Sequence, residues 1–217
     1  MDFGNLEPSI ADLLLRSRQT ILDILEDRGY DTTPYRNIAP DQILTLASKN
    51  CRALDIVVKR RPEGTATCER AYVLYTLQQP IRLRLTTFTR DIFDEKDGPQ
   101  HGDDIIVILN ETYNEVFDKT ALQMWQQKKE RMTFFHLKQI VVHLGRHSLV
   151  PPQRRLTTDE SKAEMARLYL NQKSQLPLIK HSDIQARILG LVPGDIVEYL
   201  RPSPTAGVAR VLRICAA

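Results

Sequence analysis

The close spacing of turn-forming residues in the last quarter of the chain, residues 176–215, leaves few folds open to it. Apolar side chains at positions 184, 188 and 189 share one face of a short predicted helix. Ser182 is the predicted N-cap, because its hydroxyl can accept a hydrogen bond from a first-turn N–H. Gly190 can end the helix, since glycine readily adopts the left-handed backbone conformation that follows many helices.

A β-hairpin is predicted to follow this helix. Gly194 begins a turn into a strand-like run over 196–200, and a second strand is predicted over 208–214. Between them, residues 202–207 are mostly proline, serine, threonine and glycine, which favour a loop. The two strands should therefore pair through an elaborate tip.

Two consecutive prolines at 151–152 interrupt regular structure upstream of this region, because proline lacks the backbone N–H that helices and sheets use. Residues 158–170 then form a predicted helix that begins at a threonine, with two acidic residues in its first turn that suit the helix dipole. We place the domain boundary just before His143, which divides the chain into domains 1–142 and 143–217.

Helical and strand-like patterns alternate in the first domain. Predicted helices cover 9–28, 40–50, 80–94 and 113–129, and predicted strands cover 53–58, 71–77, 105–109 and 132–144. The 80–94 range also alternates like a strand; we assign it to a helix because parallel strands need crossover connections. Gly29 should close the first helix, and Tyr30 should be buried beside it. The alternation of elements is typical of an α/β layer.

Charge and composition exclude several classes of protein. The chain of 217 residues has a formal net charge of +3, and from His143 onward 11 basic residues stand against 6 acidic ones. This excess predicts at most weak, salt-sensitive binding of nucleic acid. No run of about 18 apolar residues occurs, so we expect no membrane span. The first ten residues have no basic region, which argues against a secretory signal. The three cysteines are expected to be reduced thiols.

His143 and His147 have the i, i+4 spacing of two metal ligands on a helix. Gly145 between them and the strand-like run before them argue against a helix there. His101 and His136 supply no evident third ligand. We therefore predict packed or surface histidines and no metal cofactor.

The triplet Asp94-Glu95-Lys96 is similar to the D-x-K arrangement that holds Mg²⁺ in nucleases. It lies beside glycine and proline rather than at a strand end, so a solvated charged loop is the favoured interpretation. No glycine-rich phosphate loop, G-x-S-x-G elbow or H-E-x-x-H motif occurs. An enzymatic function would depend on geometry that spacing does not reveal.

Several short motifs occur in a specific order along the second domain. They are S-Q-L-P at 174–177, I-L-G-L at 188–191, R-P-S-x-T-x-G at 201–207 and R-I-C at 213–215, preceded by L-V-P at 149–151 and R-L-T-T-D-E at 155–160. In this order and spacing they resemble the fifth subunit shared by the eukaryotic nuclear RNA polymerases, together with its archaeal counterpart. The resemblance covers the chain from about Val142 to its end. Before that it is weaker and depends on D-R-G-Y at 27–30 and on total length.

The resemblance implies a non-catalytic subunit of a nuclear DNA-directed RNA polymerase. The first domain would be an α/β jaw with a nuclease-like sheet and helices, projecting toward downstream DNA. The second would be a small α+β assembly domain that binds the largest polymerase subunit and other core subunits. It implies a nuclear location and no cofactor, membrane or small-molecule substrate.

The hairpin tip carries the predicted partner-binding residues. By composition, a structural role for this tip is favoured, because its prolines stiffen it and glycine permits an unusual backbone angle. The resemblance instead implies an interface, since this region of the family assembles onto the largest subunit, and a rigid loop loses little entropy on docking. The predicted contact residues are Arg201, Ser203, Thr205, Gly207 and Arg213.

The sequence departs from the family pattern at several positions. Val192-Pro193 replaces basic residues, Asp195 and Glu198 add negative charge, and Val208-Ala209 replaces an arginine-aromatic pair. These changes suit a diverged orthologue or a paralogue restricted to one polymerase. Two alternatives stay open: a nuclease-like Mg²⁺-dependent hydrolase built on the first domain, and a free adaptor that uses the assembly domain.

Overall fold

The structure is a computed structural model that describes residues 8–217 apart from 50, 78, 79, 96 and 97. The side chains of residues 8–11, 40, 44, 48, 49 and 51 also lie outside the description. The chain divides into two compact units, of which the first ends at His143 and the second is Leu144–Ala217. This division lies one residue after the boundary expected from the sequence.

The first unit contains a four-stranded mixed sheet with helices between its strands. In chain order the elements are α1 (Pro8–Asp27), α2 (Thr33–Arg36), α3 (Pro40–Lys49), β1 (Ile56–Lys59), β2 (Arg70–Thr76), α4 (Leu85–Asp94), β3 (Asp104–Leu109), α5 (Glu115–Lys128) and β4 (Arg131–His136). The strands lie in sequence order, with β1 antiparallel to β2 and the other neighbours parallel. Strand β3 is buried along its whole length, as expected for a central strand of a sheet covered on both faces.

The junction after α1 fastens this helix to the sheet. Gly29 has φ +98°, and a Cβ at this position would lie 2.9 Å from the backbone nitrogens of Thr65 and Ala66, while a Cβ at Gly64 would clash with the Gly29 carbonyl oxygen. Tyr30 is buried, as predicted, and its hydroxyl donates to Asp104 Oδ2 at 3.4 Å. The Arg28 guanidinium donates to the same oxygen at 2.8 Å, so the buried carboxylate has a buried cationic partner.

Three sequence predictions in the first unit are wrong at their edges. The strand predicted over 132–144 ends at His136, because residues 137–140 form a 3₁₀ turn in which His136 Nδ1 accepts the Lys138 N–H at 3.1 Å. The strand predicted from residue 53 begins at Ile56, after a 3₁₀ turn over 51–54. The helix predicted over 80–94 is α-helical only from Leu85.

The second unit is built on a separate four-stranded sheet. Its elements are β5 (Gln153–Arg155), α6 (Thr158–Arg167), β6 (Leu178–Lys180), α7 (Ile184–Ile188), β7 (Ile196–Ser203) and β8 (Gly207–Ala216). The strand order is β5-β7-β8-β6, with β6 parallel to β8 and the other pairs antiparallel. The sequence did not predict β5 or β6, because strands of three residues are too short to show alternation.

Helix α6 begins at the predicted threonine and ends earlier than predicted. Thr157 and Glu160 form a capping box, with the Glu160 N–H donating to Thr157 Oγ1 and the Thr157 N–H to the Glu160 carboxylate. These hydrogen bonds and the Arg154 guanidinium lower the pKa of Glu160 to about 2. The helix stops at Arg167, and Tyr169 has φ +54°.

The N-cap of α7 is Asp183, which corrects the prediction of Ser182. The Asp183 carboxylate accepts the Gln185 N–H at 2.8 Å, and Gly190, with φ +64°, follows the helix end as predicted. Apolar clusters lie on both faces of the second sheet. One contains Leu156, Leu176, Ile196, Leu212 and Ile214, and the other contains Ile179, Ala186, Leu191, Val197 and Cys215. The second unit therefore has its own core.

Candidate partner-binding cleft

The C-terminal hairpin is longer and its loop tighter than the sequence predicted. Ser203 pairs with Gly207 and Pro202 with Val208, so only residues 204–206 remain outside the strands. The Leu200 N–H donates to the Pro152 carbonyl of the neighbouring chain segment at 2.9 Å. Backbone groups two residues apart on a strand point to the same side, so the nitrogen of Pro202 points away from β8, as the Leu200 N–H does. The missing N–H of Pro202 therefore removes no hydrogen bond between β7 and β8.

Local hydrogen bonds and backbone angles hold the hairpin tip. The Ala206 N–H donates to Ser203 Oγ at 3.3 Å, and Thr205 Oγ1 lies 3.4 Å from the same oxygen. Gly207 has φ +69°, a conformation that favours glycine. Pro204 follows Ser203 directly and suits the first inner position of a turn.

Strand alternation places four of the five predicted partner-binding residues on one face of the hairpin. Arg201 pairs with Ala209, Ser203 with Gly207, and Val197 with Arg213, and residues two apart on a strand face the same side. Thr205 lies in the turn itself. Tyr199 shares this face, and the Arg213 guanidinium carbon lies 5.7 Å from the centre of its ring.

A cleft of about 290 Å³ opens on this face, within the second unit. Its lining combines apolar and polar groups from residues 149–153, from residues 179–185 and from the β7–β8 hairpin. The lining residues are Leu149, Val150, Pro151, Gln153, Ile179, Asp183, Gln185, Tyr199, Arg201, Val211 and Arg213. Of the predicted residues, Arg201 and Arg213 line it, whereas Ser203, Thr205 and Gly207 lie toward the tip. We call this feature the arginine cleft.

The two cleft arginines have no carboxylate partner in the second unit, all of which the structure describes. No acidic oxygen of this unit lies within 4.0 Å of Arg201 or Arg213, and both arginines are exposed. On the opposite face, Arg154 and Arg210 both bind Glu198, and each also binds an acidic residue of α6. The arginine cleft thus presents two guanidinium groups that no carboxylate of the second unit binds, whereas the arginines of the opposite face are bound to Glu198 and α6.

Glu198 is a structural residue rather than a surface charge. It is 6% exposed, and Arg154 Nε donates to it at 2.7 Å, while Arg210 Nε donates to its other oxygen. Arg210 also donates to Glu164 at 2.7 Å, which ties α6 to the hairpin. The negative charge that the sequence suggested for the surface is therefore neutralised inside this network.

Sequence reasoning missed several residues of the cleft. Tyr199 stands on one wall, and burial raises its pKa, with Asp183 acting in the same direction and Arg213 against it. Gln153 Nε2 donates to Gln185 Oε1 at 2.5 Å across the floor. The exposed Leu149 belongs to the L-V-P motif of the sequence. Strand β5 left no clear signal there, and the cap of α7 was predicted one residue too early.

The histidine pair does not form a ligand set. Residues 144–146 between them form one 3₁₀ turn, so the spacing of four does not give a shared helix face. His143 Nε2 lies 3.2 Å from Asp27 Oδ2, and His147 Nδ1 accepts the Leu149 N–H at 3.2 Å. Within the described residues, no three His, Cys, Asp or Glu side chains are placed to hold a metal ion.

The first two residues of the D-x-K triplet lie at the end of a helix. Asp94 is the last residue of α4 and is exposed, and Glu95 accepts a hydrogen bond from Arg52 at 2.5 Å. Lys96 lies outside the described residues.

Cys68 and Cys215 form no disulfide, and burial raises the pKa of Cys215 to about 12. Among the described helices, none combines the length and apolar character needed to cross a bilayer.

Comparison with known proteins agrees with the motifs. The family model described as RNA polymerase Rpb5, C-terminal domain, matches residues 142–215. The DNA-directed RNA polymerases I, II, and III subunit rpabc1 of Dictyostelium discoideum is 32% identical over 203 residues, which cover 93% of this chain and 96% of that protein.

Shorter matches extend to archaea and animals. The DNA-directed RNA polymerase subunit Rpo5 of Pyrococcus abyssi is 46% identical over 72 residues, covering 33% of this chain and 87% of that protein. The RPABC1 subunit of Caenorhabditis elegans is 39% identical over 79 residues, covering 36% of this chain and 37% of that protein. The likeness to the Dictyostelium protein spans both units, and on that ground the chain belongs to the Rpb5 family of RNA polymerase subunits.

Proposed function

We propose that this chain is a non-catalytic structural subunit of a nuclear DNA-directed RNA polymerase and that it assembles on the largest subunit through the arginine cleft. The observation that carries the proposal is the pair of exposed arginines without acidic partners on one face of the hairpin. A partner segment that brings a carboxylate and an apolar side chain would satisfy both the guanidinium groups and the exposed Leu149.

The second unit is the proposed assembly domain. Its strands are anchored by two apolar clusters, so the cleft is presented on a rigid support that loses little entropy on binding. The archaeal relative supports this role, because a match of 72 residues covers most of that protein, and 72 residues is about the length of the second unit.

The first unit is the proposed jaw near downstream DNA. The support is the likeness over the whole length to a eukaryotic subunit whose name assigns it to polymerases I, II and III. A nuclear location follows from the same proposal. Which of these polymerases contains this chain is the question that co-purification answers.

The test compares Arg201→Ala with Arg210→Ala, two arginines on opposite faces of the same hairpin. Each variant is used to capture the largest subunit, and thermal melting is recorded in parallel. Arg201→Ala should weaken capture roughly tenfold to a hundredfold, the effect of losing one charge-assisted hydrogen bond, and leave melting unchanged. Arg210→Ala should lower the melting temperature, because buried Glu198 loses a partner.

The double variant Arg201→Ala, Arg213→Ala decides the assignment. It removes both free guanidinium groups of the cleft and leaves the Glu198 network intact. Capture equal to that of the unchanged protein would show that assembly uses another surface.

A further inference from the structure

A proline follows a hydroxyl residue at two places in the chain, Thr33-Pro34 and Ser203-Pro204. Proline-directed protein kinases select a serine or threonine of this kind in an extended segment, since proline places no N–H donor after the acceptor residue. The two hydroxyl groups differ in their hydrogen bonds and exposure, and this difference favours Ser203 as the acceptor of a phosphate.

Ser203 ends strand β7 in extended backbone at an exposed hairpin tip. All five residues that follow it, 204–208, are exposed. The flanking residues Pro202 and Pro204 donate no backbone hydrogen bonds. The Ser203 hydroxyl has only weak local partners, at 3.3 and 3.4 Å, so little must be broken to free it.

Thr33 has the opposite environment. It is the first residue of the short helix α2, and its hydroxyl donates to Asp31 Oδ1 at 2.6 Å. Its N–H donates to the same oxygen at 3.0 Å. A phosphate on Thr33 would be repelled by that carboxylate, so this site serves as an internal control.

The surroundings of Ser203 suit a phosphate group. Arg201 lies on the same face of the strand, and alternate residues of a strand are separated by about 7 Å, within reach of an arginine side chain. It has no carboxylate of the second unit within 4.0 Å, so its guanidinium can bind two phosphate oxygens. The Ala206 N–H, which already points at Ser203 Oγ, provides a further donor.

We propose that Ser203 is a phosphorylation site for a proline-directed kinase and that its phosphate closes the arginine cleft to the partner. Ser203 Oγ attacks the γ-phosphorus of MgATP, the bond to the bridging oxygen breaks, ADP leaves, and the hydroxyl proton passes to the base of the kinase. The product carries a charge of about −1.5 to −2.

The effect on binding rests on the proposed function. The phosphate would pair with Arg201 and place negative charge beside the mouth of the cleft, where a carboxylate of the largest subunit is expected. Like charges repel, so the modified protein should bind that subunit at least tenfold more weakly. Phosphorylation would thus regulate assembly through the hairpin tip.

The site itself is tested without the partner. The full chain is incubated with MgATP and, separately, a cyclin-dependent and a mitogen-activated kinase, and phosphopeptides are sequenced by mass spectrometry. We expect phosphate on Ser203 and none on Thr33. Pro204→Ala should abolish incorporation, and Val208→Ala, at an exposed position of the same hairpin that does not line the cleft, should preserve it. Absence of phosphate from Ser203 with both kinases, or equal modification of Pro204→Ala, overturns the site.

The regulatory role is tested by capture of the largest subunit with unmodified and phosphorylated protein. Strong capture by the first and weak capture by the second supports it. Equal capture by both contradicts the regulatory role and leaves the site in place. Capture by neither contradicts the proposed function, and the regulatory role then fails with it, while the site stands or falls on the mass spectrum.

Discussion

Two arginines of the same hairpin have opposite roles because the strands alternate. Arg201 pairs with Ala209 and points to the cleft face, whereas Arg210 pairs with Leu200 and points to the other face. There Arg210 meets Glu198 and becomes part of the structure. An arginine moved by one position along either strand would lie on the other face, and its role would change from binding to structural or the reverse.

Gly207→Val should destabilise the second unit and weaken capture of the largest subunit. Gly207 has φ +69°, and its Cβ position is open space, so the cost is backbone strain on the order of 1–3 kcal/mol rather than a clash. Relief of that strain would displace the tip and move Arg201. Thermal melting and pull-down yield measure the two effects.

Gly194→Val is the matched control for this change. Gly194 has φ +97°, also with open space at its Cβ position, but it lies outside the hairpin tip and does not line the cleft. It should lower the melting temperature to a similar degree while capture is retained below the transition. If Gly207→Val changes neither melting nor capture, the tip does not position the interface.

At the scale of the elements, the Asp55 carboxylate connects the 3₁₀ turn before β1 to strand β2. Asp55 follows this turn, and its Oδ1 accepts the Tyr75 N–H of β2 at 3.0 Å. Burial raises the pKa of Asp55 from 3.8 to about 6, against the lowering effects of Tyr75 and Arg52. The folded protein therefore holds this proton more tightly than the unfolded chain does.

Asp55→Asn should change how stability depends on pH. Between about pH 4 and 6 the folded state binds more protons than the unfolded state at this site, so Asp55 lowers the free energy of unfolding as the pH rises through this window. Asparagine cannot ionise but keeps the oxygen that accepts the Tyr75 N–H. The variant should therefore gain stability relative to the unchanged protein as the pH rises from 4 to 7.

Urea unfolding followed by tryptophan fluorescence can measure this difference. Trp125, the single tryptophan of the chain, lies in the first unit and reports on it alone. Asp94→Asn, at an exposed position of the same unit, is the control for the loss of a carboxylate. A difference between Asp55→Asn and the unchanged protein that stays constant from pH 4 to 7 would show that Asp55 does not titrate as described.

The complete chain combines two units that each have their own sheet. In the second unit, apolar clusters cover both faces of the sheet and the helices have their own caps. The members of both clusters all belong to the second unit. The proposed assembly role therefore predicts that the second unit is sufficient for capture of the largest subunit.

A fragment of residues 144–217 should fold cooperatively and capture the largest subunit, and a fragment of residues 1–143 should not. Circular dichroism during heating measures folding, and pull-down measures capture. The fragment with Arg201→Ala serves as the control, since it should fold and lose capture. Capture by residues 1–143 alone would show that the assembly surface lies in the first unit.

Much of the fold could be predicted because its signals are local. Gly29, Gly190 and the threonine before α6 mark helix ends through backbone angles and caps that depend on neighbours in the chain. The apolar run of β3 and the strand-like runs of the hairpin have the same local origin. The family, too, was recognisable from short motifs in order.

Contacts between distant residues decided the rest. The strands β5 and β6 and the burial of Glu198 depend on partners far away in the sequence. The same holds for the arginine cleft: five of the eleven basic residues after His143 are arginines on β5, β7 and β8, and composition treats them alike. Ion pairs depend on distances in the folded protein and not on distances along the sequence. Only the tertiary structure therefore distinguishes the arginines that bind Glu198 or Asp195 from Arg201 and Arg213, which bind no carboxylate of the second unit.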